Sequence, residues 1–174
     1  VLMNLGERPW TEVEPLFLQA LALHRGVLGA DDLGTLRLIG GLGQGYGSNW
    51  QDAKAEPLLV DALERSRRVL GEKHPDVFFV MAVLANIYSH LNQFEKAELL
   101  QLRVVELRRS ILGEEHPVTI NSVAILARIY VQQQQFDKAD PLTADALRQI
   151  RGLAGFNDLY LPQLSELGWA YLEQ

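Results

Sequence analysis

At 174 residues the chain is long enough to bury one sizeable core, and its 22% charged residues are an ordinary fraction for a protein in water. The absence of cysteine excludes disulfides, thiol catalysis and cysteine-ligated zinc. No apolar run approaches the ~18 residues that cross a bilayer, and the net charge of -6 disfavours a phosphate backbone, so neither membrane nor nucleic acid is an expected partner.

The chain reads in 42-residue steps. Residues 1–27 look like the trailing half of a repeat, opened by Trp10 and followed by Glu14-Pro15-Leu16. The start, Val1-Leu2-Met3-Asn4, has neither a basic leader region nor an initiator Met, which suggests a piece of a longer chain and a cytoplasmic location. Residues 28–69 form a first full repeat, with Leu28-Gly29, Leu42-Gly43-x-x-Tyr46 and Lys54-Ala55-Glu56-Pro57-Leu58.

Residues 70–111 and 112–153 are the clearest pair. Leu70-Gly71-Glu72-Lys73-His74-Pro75 returns as Leu112-Gly113-Glu114-Glu115-His116-Pro117. Leu84-Ala85-x-Ile87-Tyr88 returns as Leu126-Ala127-x-Ile129-Tyr130, and Gln93-Phe94-x-Lys96-Ala97 as Gln135-Phe136-x-Lys138-Ala139. Residues 154–174 are the leading half of a further repeat, with Leu167-Gly168-x-x-Tyr171 displaced by one residue. A helix from about Asp158 to Leu172 is expected there, leaving Leu161, Leu164, Leu167 and Leu172 more apolar than one neighbour can cover.

Each repeat predicts two helices. Pro75 and Pro117 suit a first helical turn, where the missing N–H costs nothing. Val80, Val83, Leu84 and Ile87 follow at helical spacing. The second helix is expected from about Phe94 to Ile111, capped by Gly113, with Leu99, Leu102, Val105 and Leu107 as its apolar stripe. Arg65, Arg67, Arg68 and Arg103, Arg108, Arg109 are expected on solvated outer faces. There is no alternating β-branched run and no Asn-Gly or Asp-Gly hairpin, so the fold class is all-α. A period of this length signals a solenoid, in which each repeat buries its apolar face by stacking on its neighbours.

Leu-small-x-x-Tyr, then an aromatic, then Ala three residues later (Phe94/Ala97, Phe136/Ala139) resembles the tetratricopeptide repeat. The 42-residue step with Leu-Gly-Glu-x-His-Pro between repeats is similar to the kinesin-light-chain variety, rather than to the ordinary ~34-residue unit. HEAT and armadillo repeats have a similar period but lack the Leu-Gly-x-x-Tyr element. The resemblance implies a right-handed α-solenoid of antiparallel helix pairs, one domain over residues 1–174. It also implies a non-catalytic module that binds a protein or peptide segment in a concave groove lined by first helices.

Two features compete with that reading. The run Gly40-Gly41-Leu42-Gly43-Gln44-Gly45-Tyr46-Gly47 has no preceding strand and no Gly-Lys-Ser/Thr, so it is not a phosphate loop. It falls inside a first helix, where four interior glycines cost on the order of 3–4 kcal/mol, and is expected to be a tolerated irregularity or a floor under a partner. His74 and His116 occupy equivalent turns, with no third ligand in sight, so no metal and no cofactor are expected.

The residues expected on the groove are Arg37, Gln44, Phe79, Asn86, His90, Asn121, Arg128, Gln132 and Trp169. Peptide-binding members of the resembled family carry asparagine just before the Leu-Ala pair. Here those places are Gly40-Gly41, Ala82-Val83, Ala124-Ile125 and Ser165-Glu166, which implies a smoother, more apolar groove. The alternatives are a self-associating scaffold that stacks through its end helices, or the regulatory arm of a larger multidomain signalling protein.

Overall fold

The computed structural model describes residues 8–152. Among them are seven α-helices and no strand: α1 (Trp10–Val27), α2 (Leu33–Ser48), α3 (Asp52–Leu70), α4 (Pro75–His90), α5 (Phe94–Leu112), α6 (Pro117–Gln132) and α7 (Phe136–Gly152). The predicted helix over 158–172 lies outside the described residues. The chain divides into two compact units, Val1–Leu91 and Asn92–Gln174, so α1 to α4 belong to the first and α5 to α7 to the second.

The helix ends follow from the repeat. Pro75 and Pro117 occupy the first turns of α4 and α6. His74 and His116 are the N-caps, each Nδ1 accepting from the backbone N–H two residues on, at 3.2 Å. The histidines therefore serve the turn. Asp32 caps α2 in the same manner, its Oδ1 accepting from the N–H groups of Gly34 and Thr35. Gly71 and Gly113, at φ 79° and 91°, end α3 and α5 in a conformation that only glycine adopts freely. Trp50, Asn92 and Gln134 form a second left-handed series at the same spacing, φ 56°, 57° and 60°, in the tight turns before α3, α5 and α7.

In the first compact unit, Leu36, Ile39 and Leu42 of α2, Ala55, Leu59 and Ala62 of α3, and Val77, Met81, Leu84 and Ile87 of α4 are almost wholly buried. The glycine run lies inside α2, and close packing explains it. A Cβ on Gly43 would stand 2.6 Å from Leu59, and one on Gly45 would overlap the Trp10 indole. The floor is thus occupied by the protein's own side chains. In the second unit, Val105, Ile120, Val123, Leu126, Tyr130, Val131, Ala139 and Ala146 form a core, with Phe136 and Leu142 against it. Buried Gln101 donates to the Ser122 carbonyl at 2.8 Å, fastening α5 to α6.

Two expectations on second helices need correction. Leu99 is 71% exposed and Leu102 also faces solvent; the buried stripe of α5 is Ala97, Gln101, Val104, Val105 and Leu107. Leu99 stands at the register position of Pro15, Pro57 and Pro141, all on the outer side of their helices. Arg108 is not on a solvated face. It donates to Ser122 Oγ and the Val118 carbonyl of α6, and burial lowers its pKa. The other arginines of the two clusters are exposed or half-buried and paired: Arg65 with Asp31 and Asp61, Arg68 with Asp31, Arg67 with Glu72, Arg103 with Glu106 and Arg109 with Glu114.

A polar tie recurs with the repeat. Glu14 Oε1 accepts from Tyr46 at 3.0 Å and from Lys54 at 3.1 Å, while Lys54 lies over the Tyr46 ring. Glu98, Tyr130 and Lys138 repeat it in the second unit, with Lys138 5.0 Å from the Tyr130 ring centre. Lys54 and Tyr46 hold the Glu14 carboxyl below its ordinary pKa. Burial, then the Glu98 charge, pushes Tyr130 up to about 12.

Candidate functional site

The candidate residues fall on first helices at matching register: Arg37, Phe79 and Asn121; Gln44, Asn86 and Arg128; His90 and Gln132. Packing explains why these positions are spared. The Leu, the small residue and the Tyr of each first helix turn inward, as Leu42, Gly43 and Tyr46 do in α2. Of the candidate positions, Arg37, Gln44 and Gln132 are left exposed and the others half-buried among the described residues.

In the first compact unit, Arg37 is exposed and its Nε donates to Asp76 Oδ2 at 2.9 Å, which links α2 to the start of α4. Gln44 is exposed. Phe79 is half-buried, and its ring leaves no space for a side chain at Gly40, where a Cβ would be 2.9 Å away. Asn86 is half-buried. His90 Nδ1 donates to Asp52 Oδ1 at 2.9 Å, and its ring meets Trp50 at a tilt of 33° with centroids 4.9 Å apart.

In the second unit, Asn121 and Arg128 are half-buried and Gln132 is exposed. The Asn121 Oδ1 is shielded from solvent and accepts no hydrogen bond from the described residues. Trp169 lies outside the described residues.

Asp52, Trp50 and His90 are the constellation that sequence reasoning left unassembled. Asp52 replaces the aromatic that opens the other second helices, and Trp50 sits two residues before it. The signal was the simultaneous break in register at 50, 52 and 90; what joins them is a 38-residue contact. Among the described residues no hydroxyl bonds to His90, and no group of three or more His, Asp or Glu side chains is arranged to hold a metal.

Helix pairs at this period, with Leu-small-x-x-Tyr packed inward and an aromatic opening the second helix, define a tetratricopeptide-type array. Residues 51–110 match the model of the tetratricopeptide repeat family. Residues 51–110 are therefore similar to tetratricopeptide repeats, and the 42-residue units of the chain are similar to those of kinesin-light-chain-like repeat proteins. A Podosopora anserina protein, described as a kinesin light chain with nearly identical repeats of this type, is 26% identical with a TM-score of 0.78. The match covers 94% of this chain and 78% of that one. A single-substitution variant of the same protein gives 26% identity and a TM-score of 0.79, over 94% of this chain and 77% of its own. BtubC (BKLC) from P. vanneervenii, at 22% identity, shares the fold, with a TM-score of 0.76 over 94% of this chain and 65% of its own. No curated protein matches the sequence.

Among the described residues no helix is long and apolar enough to cross a membrane.

Proposed function

We propose that this chain is a protein-binding module, cytoplasmic and without catalysis or cofactor of its own. A protein or peptide segment docks on the first-helix faces. In the first compact unit Arg37, Gln44, Asn86 and His90 supply polar contacts and Phe79 the apolar anchor. In the second, Asn121, Arg128 and Gln132 do so, and Trp169 continues the register. Tetratricopeptide repeats generally mediate protein–protein interactions, which supports the class. The observation that carries the reading is the strip itself: exposed Arg37, Gln44 and Gln132 alternate with buried Leu42, Tyr46 and Ile129, so packing dictates the second set and not the first.

The test is capture of partners with the chain as bait, then comparison of Phe79→Ala and Arg128→Ala with Leu99→Ala on the outer face of α5. Each strip variant should weaken a captured partner by roughly 5- to 100-fold with helicity unchanged, as anchoring aromatic and Arg residues do. Weakening by Leu99→Ala alone would move the site to the outer face.

The self-associating scaffold is favoured by one specific observation. α1 exposes Leu16, Leu23 and Val27, and Leu28 beyond its end is exposed too. Its register counterpart α3 packs on both α2 and α4, whereas among the described residues α1 packs on α2. Light scattering that shows concentration-dependent assembly, lost in Leu23→Glu, would support that reading over a monomeric module.

A further inference from the structure

Trp50 is 79% exposed, the most exposed of the large apolar side chains described. It also stands at φ 56°, a backbone conformation that bulky residues avoid. At the same register the chain uses Asn92 and Gln134, which are smaller and polar. Neither packing nor turn geometry calls for an indole here. A strained, solvent-facing aromatic is therefore a candidate for binding.

The surroundings are built around it. The Trp50 ring meets the His90 ring with centroids 4.9 Å apart and the planes tilted by 33°. His90 is in turn held by Asp52, which is buried and takes the place of the usual aromatic. Residues at 50, 52 and 90 all depart from the neighbouring repeats, and all three meet. The effect is an indole held against His90 with most of its surface open to solvent.

Charge indicates what that exposed ring takes. The face of an indole is electron-rich and attracts cations. The chain already uses this contact internally: Lys54 lies over Tyr46 at 5.1 Å and Lys138 over Tyr130 at 5.0 Å. Trp50 has no such cation among the described residues; its ring contact is His90. Close by in the chain, Asp52 is bonded to His90 and Lys54 is paired with Glu14, and the chain carries a net charge of -6, so an approaching cation meets attraction at long range.

We propose that Trp50, backed by His90, is a docking point for a cationic side chain of a partner protein, an arginine or a lysine. It lies at the turn between α2 and α3, outside the first-helix strip save for His90, and stands whether or not that strip binds a segment.

The experiment follows the indole N–H resonances of the ¹⁵N-labelled full chain, with Trp50 assigned as the signal lost in Trp50→Phe. Three capped pentapeptides, Gly-Xaa-Gly-Xaa-Gly with Xaa arginine, citrulline or glutamate, are titrated in turn. Citrulline keeps the shape of arginine without its charge. The arginine peptide should move the Trp50 signal at roughly two- to five-fold lower concentration than the citrulline peptide, the ratio expected of an exposed cation–π contact. His90→Gln, which installs the residue found at 132, should weaken that response while leaving the other indole signals in place. Equal responses to arginine and citrulline, a stronger response to glutamate, or no response to arginine would each overturn the proposal. Because the readout is Trp50 alone, failure here leaves the strip reading intact, and failure of Phe79→Ala and Arg128→Ala to weaken a partner leaves this one intact.

Discussion

The Tyr46 hydroxyl donates to Glu14 Oε1 at 3.0 Å across a separation of 32 residues, and so ties α1 to α2. Lys54 of α3 reaches the same oxygen, so three consecutive helices share one carboxylate. Removing the hydroxyl with Tyr46→Phe should cost about 0.5–1.5 kcal/mol, the usual net value of such a bond. If the tie acts as a unit, Glu14→Gln and Tyr46→Phe together should cost less than the sum of the two single changes in urea unfolding. Strict additivity would show that the bond is incidental.

The glycines of α2 can be judged against one that packing leaves alone. A Cβ at Gly45 would overlap Trp10, which itself meets Tyr46 edge-on at 5.6 Å. Gly45→Ala should therefore destabilise by about 1–3 kcal/mol through overpacking, outweighing the helical gain of about 1 kcal/mol. Gly26, inside α1, has nothing within 4 Å of its Cβ position. Gly26→Ala should stabilise instead. Opposite signs in paired thermal melts are the expected result, and a stabilised Gly45→Ala would show that Trp10 relocates without cost.

Much of the architecture was legible because it is periodic and local. Pro75, Pro117, Gly113 and the Leu-small-x-x-Tyr element mark helix ends and inner faces within one helix, and the observed bounds agree to within about a turn residue or two. The stripe of α5 was not legible: Leu99 and Leu102 share a helical spacing with one another, and only the neighbours' positions reveal that this side faces out. The candidate strip followed from register, but its partners did not. Arg37 meets Asp76 and His90 meets Asp52 over 39 and 38 residues, distances at which spacing carries no information.

That division can be measured. Leu84 and Leu126 are 2% and 3% exposed, and truncating either to Ala should cost about 2–5 kcal/mol. Leu99→Ala should fall within about 0.5 kcal/mol of the parent. A large cost at Leu99 would mean that its face is covered in solution.

The left-handed series before each second helix offers a stabilising change. Gln134 stands at φ 60° and is exposed. Gln134→Gly should relieve a left-handed penalty of about 1–2 kcal/mol while adding unfolded-state entropy of about 0.5–1, for a net gain of about 0.5–1 kcal/mol. A fall in melting temperature would show that the side chain makes contacts worth more than the strain.

Tyr130 should make stability fall in alkali. Its hydroxyl is shifted from 10.0 to about 12, first by burial and then by the Glu98 charge and hydrogen bond. Below pH 10 the phenol is protonated in both folded and unfolded chains, and its stabilising contribution is fully present. Between about 10 and about 12 the unfolded chain releases the proton while the folded chain keeps it, so the unfolded state binds fewer protons and stability declines with rising pH. Tyr46 and Tyr88, both raised chiefly by burial, add in the same direction. Tyr130→Phe has no phenol to ionise. Its urea midpoint should decline less steeply than that of the parent across this interval, although its stability at about pH 8 is lower for want of the bond to Glu98. Parallel declines in the two proteins would mean that Tyr130 titrates alike in the folded and unfolded chains.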